Sequence, residues 1–198
     1  MDRLRLLVLA GPNGAGKTTF ARAHLRQYVD AGLFLNADDA AREINAQNVE
    51  AAAMEAGRRV IDRRREMIKE RRSFAIETTL ASQTLLRDLR TARDAGFVCQ
   101  LFFLFLSSAH LCDFRVKQRV IRGGHSIPQP VIQRRYISGL VLLPRYFSEV
   151  HEAEIFHADA EPVTTLVKTP TGTAIADHGR FDLLQALIRI AGGAPIAL

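Results

Sequence analysis

Eight consecutive residues near the start of the chain, Gly11 to Thr18, follow the pattern G-x-x-x-x-G-K-[ST]. Glycines let such a loop curl so that its backbone N–H groups point at phosphate oxygens. In this pattern the lysine, Lys17, reaches the outer phosphates of a nucleotide, and the hydroxyl of Thr18 holds Mg²⁺. We therefore predict a phosphate-binding loop (P-loop) for ATP and Mg²⁺, with Lys17 also catalytic. The predicted nucleotide-binding residues here are Gly11, Pro12, Asn13, Gly14, Ala15, Gly16, Lys17, Thr18 and Thr19.

Acidic residues stand at the ends of two later apolar segments. Asp38 follows the segment 33–36, where a carboxylate facing the γ-phosphate can accept the proton of an attacking hydroxyl. We predict Asp38 as the catalytic base; the alternative is a helix N-cap, a task that Asp39 could take instead. Glu77 closes the segment 73–77 at the ligand-binding edge of the predicted sheet. It is predicted to hold Mg²⁺ through a water or to bind the substrate, unless neighbouring hydroxyls simply cap a helix and leave it idle.

Arginines recur along one later helical segment. Arg115 and Arg119 are one turn apart and share a face, and Arg122 precedes a Gly-Gly pair that supplies hinge freedom. Arginines stabilise the negative charge that spreads over a transferred phosphoryl group. We predict Arg119 as a catalytic phosphate ligand and Arg122 as a nucleotide-binding residue of a lid.

Further substrate contacts are predicted just beyond that lid. His125 follows the glycine pair directly, although loop histidines are often merely exposed. Arg134 is predicted to reach the substrate from the next helix. Its neighbour Arg135 could do the same, and one of the two is expected to lie only at the surface.

Strand-like and helix-like segments alternate along the chain. Strands are predicted at 4–10, 33–36, 73–77, 97–106 and 154–158, and a hairpin at 163–169 and 173–176. Helices are predicted at 17–28, 37–45, 49–71, 82–95, 109–121, 130–147 and 181–191. The alternation predicts an α/β fold, a P-loop NTPase of the small-molecule-kinase type with a mainly parallel sheet and helices on both faces. Residues 1–160 would form the P-loop domain, and 161–198 a small C-terminal hairpin and helix packed on it.

Composition narrows the possible partners and the location. Among the 198 residues no apolar run approaches the ~20 that a bilayer crossing needs, so no membrane association is expected. The net charge of +6 comes mainly from arginine, but no aromatic residues interleave with the Arg63-Arg64-Arg65 run, which is predicted to be a solvated face. Nucleic acid is therefore an unlikely partner. Cys99 and Cys112 fit structural thiols in a reducing cytoplasm.

The sequence lacks the signature motifs of several classes of nucleotide hydrolase. No Asn-Lys-x-Asp guanine signature occurs, and the third and fourth strands end in Glu77 and Ser107 rather than in four apolar residues and Asp. The short chain fits a kinase of small substrates better.

In order, the segments GPNGAGKTT, FLNADD, FAIETTL and RGGHSIP closely resemble the zeta-toxin-like P-loop proteins. The chain is most similar to the short bacterial branch that is often labelled predicted ABC-type ATPase, from about Leu4 to Phe147. Known zeta toxins phosphorylate a sugar hydroxyl of UDP-N-acetylglucosamine and are restrained by a separate helical antitoxin. The resemblance implies ATP and Mg²⁺ at Lys17 and Thr18, Asp38 as base, Glu77 and Thr79 on the substrate side, and Arg119 on phosphate.

The chain departs from those toxins at two places. They carry a second arginine where this chain has Gly123-Gly124-His125, and a substrate-binding acid in the long helix before the third strand, for which Glu55 is the candidate here. Our main hypothesis is an ATP-dependent kinase that acts on a hydroxyl of a small metabolite, with UDP-N-acetylglucosamine as one acceptor. The alternatives are a kinase of nucleic-acid ends or of an antibiotic, and a regulatory switch that binds ATP without an acceptor.

Overall fold

A seven-stranded sheet forms the centre of the computed structural model, which describes residues 3–198. The strands in chain order are β1 (Arg5–Ala10), β2 (Phe34–Asn36), β3 (Phe74–Thr78), β4 (Val98–Phe105), β5 (Glu152–His157), β6 (Val163–Thr169) and β7 (Gly172–Ile175). They lie in the order β2-β3-β1-β4-β5-β6-β7, and β1 to β5 are parallel. The predicted mainly parallel α/β fold of the P-loop type is confirmed.

Eight helices connect the strands and cover the sheet in the described part of the chain. They are α1 (Lys17–His24), α2 (Arg26–Asp30), α3 (Ala37–Ile44), α4 (Val49–Lys69), α5 (Thr84–Asp94), α6 (Ala109–Ile121), α7 (Gln129–Glu149) and α8 (His178–Ile190). The central strand β1 reads Arg-Leu-Leu-Val-Leu-Ala and is buried from its second residue onward. Strands covered on both faces carry such continuous apolar runs, because no side chain points to solvent.

The last two strands extend the main sheet rather than standing apart from it. β6 pairs antiparallel with β5, and β7 pairs antiparallel with β6. Asp177 caps α8 by accepting a hydrogen bond from the amide of Arg180 at 2.9 Å. The predicted C-terminal hairpin is thus part of the main sheet, and the predicted helix, α8, follows it directly.

Three local expectations were wrong. The helix predicted at 17–28 breaks at Leu25, whose φ of −120° ends α1 before α2 begins. Neither Asp38 nor Asp39 caps α3, because Asn36 does so by accepting from the amide of Asp38 at 2.8 Å. The run at residues 63–65 is not uniformly solvated, since Arg64 is 4% exposed and is paired with Asp88 of α5.

Within residues 3–198, no helix combines the length and the hydrophobicity that crossing a bilayer requires.

Candidate active site

The P-loop curls between β1 and α1 in a conformation that its glycines make possible. Gly11 has a φ of +144°, and a Cβ atom there would lie 2.2 Å from the carbonyl oxygen of Leu104. At Gly14, with a φ of +82°, a Cβ would lie 3.0 Å from the Cβ of Arg115 on α6. The loop is therefore packed tightly against β4 and α6, in a shape that an L side chain would disturb.

A cleft of about 970 Å³ opens over this loop and is called the P-loop cleft below. Gly14, Gly16, Thr18 and Thr19 line it, and the first amides of α1 have no acceptor within the helix. Such a set of free backbone donors at a helix N-terminus fits a bound phosphate chain. The side-chain oxygen of buried Asn13 has no hydrogen-bond partner among the described residues and, as an acceptor, would pair with a donor rather than with phosphate.

Lys17 lies folded onto the loop. It is 7% exposed, and its Nζ donates to the carbonyl oxygen of Pro12 at 3.0 Å and lies 3.7 Å from Oε1 of Glu77. A lysine at this place in the pattern reaches nucleotide phosphates, and the contact with Pro12 uses only one of its three N–H donors.

Glu77 is placed by strand register. Asn36 at the end of β2 pairs with Glu77 of β3, and its Nδ2 donates to Oε2 of Glu77 at 3.2 Å. Burial raises the pKa of Glu77 above its usual range; Lys17 opposes this shift, and the nearby Asp38 carboxylate reinforces it. Glu77 is thus an acid whose charge depends on a neighbouring cation, as expected of a carboxylate that meets a metal ion or a substrate.

Mg²⁺ would depend on few protein ligands here. No group of three His, Cys, Asp or Glu residues arranged for a metal ion occurs in the part of the chain that the structure describes. Mg²⁺ in nucleotide sites is typically held by substrate phosphates and waters with only one or two protein groups. The Thr18 hydroxyl in the cleft and the Glu77 carboxylate beside Lys17 fit that pattern.

A chain of polar contacts joins α3, the Gly-Gly loop and α6. Oδ2 of Asp38 lies 3.5 Å from Nε2 of His125. Arg119 donates through its Nη2 to the carbonyl oxygen of His125 at 3.1 Å, and the same atom lies 3.4 Å from Nε2. Burial lowers the pKa of His125; Asp38 opposes this shift, and Arg119, Arg42 and Arg135 add to it. His125 therefore connects the predicted base to the predicted phosphate ligand.

A second, smaller cavity of about 230 Å³ lies behind the P-loop cleft and is called the inner cavity below. Its walls come from α3, α4, β3, the start of α5, and α7. The two cavities share one polar wall, formed by Asn13, Lys17, Asn36, Asp38 and Glu77. A group bound in the inner cavity therefore faces a nucleotide in the cleft across this wall.

Two backbone features shape the inner cavity. Gly139 of α7 lets that helix approach closely, since a Cβ there would lie 2.7 Å from the carbonyl oxygen of Thr79. Leu80, fully buried, has a positive φ of 55° at the turn after β3. Strained residues of this kind persist only where the surroundings fix them, and they concentrate at functional sites.

Most of the predicted site residues come together in these two cavities. Lys17, Thr18, Thr19, Arg119 and Arg122 line the P-loop cleft with Gly14 and Gly16. Thr79 lines the inner cavity, while Asp38 and Glu77 line both. The remaining loop residues Gly11, Pro12 and Ala15 are buried.

The structure separates the roles of three arginines. Arg134 is exposed and lines neither cavity, whereas Arg135 lines the inner cavity; we correct the predicted substrate contact accordingly. The reason is helical geometry, because Arg135 lies one turn before Gly139, on the face of α7 that meets Thr79. Arg115 is structural, since it donates to carbonyl oxygens of Gly14 and of the residues after β5.

Sequence reasoning missed the contribution of α4. Gly57, Val60, Ile61 and Arg64 line the inner cavity from that helix, at the i, i+3, i+4 and i+7 spacing of one face. That spacing in the sequence could have shown that these four residues share one face of α4. The expected acid, Glu55, is exposed and pairs with Arg59 instead.

The fold and this cleft define a P-loop nucleotide-binding domain with a kinase-like arrangement. The sequence model of the AAA_33 family, an AAA domain, matches residues 6–135, and the chain belongs to that family. An uncharacterised protein of Haemophilus influenzae is 30% identical over 132 residues, which cover 67% of this chain and 92% of that protein.

Solved structures share the fold at low sequence identity. The complex of AvrRxo1-ORF1 and -ORF2 with ATP matches with a TM-score of 0.72 and 14% identity, covering 92% of this chain but only 63% of that one. A structure from the PezAT chromosomal toxin–antitoxin system of Streptococcus pneumoniae matches with a TM-score of 0.61 and 16% identity, covering 97% of this chain and 86% of that one. The P-loop resemblance seen in the motifs is confirmed by the family model, and these structures share its fold.

Proposed function

We propose that this protein is an ATP-dependent phosphotransferase that acts on a hydroxyl group of a small metabolite. The observation that supports it is the polar wall shared by the two cavities. It carries a buried lysine on the nucleotide side and a carboxylate, Asp38, that both cavities reach. A kinase needs this arrangement, because catalysis of phosphoryl transfer is mostly positioning and charge stabilisation.

In this proposal the P-loop amides, Lys17 and Thr18 hold ATP and Mg²⁺. When bound, these supply the phosphoryl group, and the acceptor oxygen gains a bond to phosphorus as the bond to the bridging oxygen breaks. Lys17 donates to phosphate oxygens through the N–H groups that its contact with Pro12 leaves free. Asp38 accepts the proton that the acceptor hydroxyl loses.

Arg119, Arg122 and Glu77 complete the proposed machinery. Arg119 and Arg122 line the cleft from α6 and its end, where guanidinium groups stabilise charge on the transferred group. The contact of Arg119 with His125 uses only its Nη2, which leaves its other donors for phosphate. Glu77 would orient a Mg²⁺-bound water or the acceptor, and the nearby Lys17 favours its charged form.

The family resemblance suggests UDP-N-acetylglucosamine as an acceptor, cytoplasmic ATP as the phosphate source, and a separate antitoxin protein as a partner. The pneumococcal match, which comes from a toxin–antitoxin system, supports the partner proposal by its fold alone. All three are proposals for this chain.

The test of the proposal is phosphate transfer from ATP with Mg²⁺ to a panel of hydroxyl compounds, read by mass spectrometry. The panel includes UDP-sugars, aminoglycosides and a 5′-hydroxyl oligonucleotide. We expect Asp38→Asn to lower kcat by about 10²- to 10⁴-fold, with ATP affinity nearly unchanged, because the base acts only on the acceptor. Asp62→Asn, an exposed site on α4, is the control and should retain wild-type turnover.

Undiminished turnover in Asp38→Asn would remove Asp38 as the base. ATP binding with slow hydrolysis and no phosphorylated acceptor across the panel would instead favour a nucleotide switch over a kinase. A phosphorylated oligonucleotide would move the acceptor to nucleic-acid ends.

A further inference from the structure

The inner cavity contains one polar group that the proposed reaction does not use. Arg64 of α4 lines this cavity and is only 4% exposed. Its Nε has no hydrogen-bond partner among the described residues. A buried donor without a partner is costly and calls for an explanation, of which a bound water or a ligand in the neighbouring cavity is one.

The charge around Arg64 is incompletely neutralised. Asp88 of α5 contacts Arg64 through Oδ2, and its Oδ1 lies 3.3 Å from Nε of Arg65. One carboxylate is therefore shared by two guanidinium groups, which leaves a net positive charge next to the cavity. Arg135 lines the same cavity from α7 and adds a second cation.

Charged side chains of both signs line the inner cavity. Lys17, Asp38 and Glu77 stand at the wall shared with the P-loop cleft, while Arg64 and Arg135 come from α4 and α7. The α4 side is otherwise apolar, with Val60 and Ile61. An acceptor bound here would place its hydroxyl near Asp38 and a negatively charged group near Arg64.

We propose that Arg64 is a substrate-binding residue whose guanidinium group pairs with an oxyanion of the acceptor, so that the substrate is a small alcohol carrying a carboxylate or a phosphate. This inference rests on the proposed kinase function and deepens it. A guanidinium suits this task because its charged donors match both oxyanions. A cavity of about 230 Å³ further restricts the part of the acceptor that enters to roughly one small molecule or one ring.

Matched acceptors test the proposal. Glycerol, glycerate and glycerol 3-phosphate form one set, and glucose, gluconate and glucose 6-phosphate form another; UDP-N-acetylglucosamine represents a neutral sugar with its charges outside the ring. Binding is measured by calorimetry on protein loaded with Mg²⁺ and a non-hydrolysable ATP analogue, so that the P-loop is already filled. Phosphate transfer from ATP is measured separately. In at least one set the oxyanion members should bind about tenfold or more tightly than the neutral one.

The variants separate recognition from folding. Arg64→Ala alone would leave Asp88 buried with a single exposed partner, so the main variant is the double change Arg64→Met with Asp88→Leu, which replaces a buried ion pair by apolar groups. It should fold, lose the oxyanion preference, and raise KM at least tenfold with kcat changed less than threefold. Arg64→Lys keeps the charge and should retain part of the preference. Arg180→Met is the matched control, because the Nε of Arg180 is likewise buried without a partner but lies on α8, outside both cavities.

The outcomes separate this inference from the proposed function. Equal binding of neutral and oxyanion members, or a preference that survives in the double variant, overturns the role of Arg64. Rapid phosphorylation of UDP-N-acetylglucosamine that the double variant leaves unchanged also overturns it, while supporting the kinase. Arg64-dependent oxyanion binding without transfer to any acceptor supports the inference about the cavity and contradicts the proposed kinase.

Discussion

The P-loop cleft and the inner cavity differ in where their binding groups come from. The phosphate-binding part of the cleft is made from backbone amides and glycines of one contiguous segment that follows β1, and side chains of α3 and α6 complete the cleft. The inner cavity is lined mostly by side chains of elements that are far apart in the chain and meet only after the sheet and its helices have packed. A phosphate chain is common to all nucleotides, so backbone donors suffice for it. An acceptor must be distinguished from other small molecules, and this task falls to side chains such as Arg64 and Arg135.

The largest effect is expected from the lysine of the P-loop, which lies in the wall that both cavities share. Lys17→Ala removes the buried ammonium that should stabilise phosphate charge, and we expect kcat/KM for ATP to fall by about 10³-fold. Nucleotide affinity should fall with it. Steady-state ATP turnover and binding of a fluorescent ATP analogue measure both effects.

The exposed Lys117→Ala serves as the control for this change. Retained activity in Lys17→Ala would contradict nucleotide chemistry at this loop altogether. Loss of the lysine also removes the cation that lowers the pKa of Glu77, so activity that remains should require a higher pH for Glu77 to ionise.

A second change acts on the same loop through its backbone. Gly11→Ala would introduce a Cβ atom 2.2 Å from the carbonyl oxygen of Leu104 at a φ of +144°. We expect a loss of about 3 kcal/mol in the free energy of unfolding, because strain and overlap add. In a chain of this size that corresponds to a fall of roughly 6–12 °C in Tm, measured by circular dichroism. An unchanged Tm would show that the loop can move away from β4.

The same contrast explains what the sequence could predict. The P-loop, the strand–helix alternation and the position of Asp38 after β2 follow from local pattern, and the fold was predicted on that basis. The charged run at residues 63–65, with Glu66 and Glu70 nearby, predicts a solvated face for Arg64. Its burial depends on Asp88, 24 residues away in the chain, and no local pattern shows that pairing. Arg135 was likewise not separable from Arg134 until Gly139 showed which face of α7 meets Thr79.

A smaller effect is expected for His125, on the pH dependence of the free energy of unfolding. Burial lowers its pKa, so the folded protein binds fewer protons there than the unfolded chain. Stability is therefore lost as pH falls from the ordinary histidine pKa of about 6.5 towards the lower folded value. His125→Asn should remove this part of the loss and flatten the free energy of unfolding against pH between about 7 and 5.

Urea denaturation at several pH values measures that slope, with exposed His110→Asn as the control. An unaltered slope in His125→Asn would show that burial does not lower the pKa of His125.

The smallest effect is expected from a glycine that has room around it. Gly57 lies within α4 and lines the inner cavity, and a Cβ there would meet no atom within 4 Å. Gly57→Ala should raise the free energy of unfolding by about 0.5–1 kcal/mol, because alanine loses less backbone entropy in a helix. The added methyl group also occupies cavity volume, so KM for the acceptor should rise while ATP affinity stays the same. Gly179→Ala on α8 offers a similar helical site outside both cavities and should leave KM unchanged. A change in ATP affinity in Gly57→Ala would mean that the two cavities are not independent binding sites. Their shared wall would then couple the acceptor to the nucleotide, and the contrast between the two cavities would not hold.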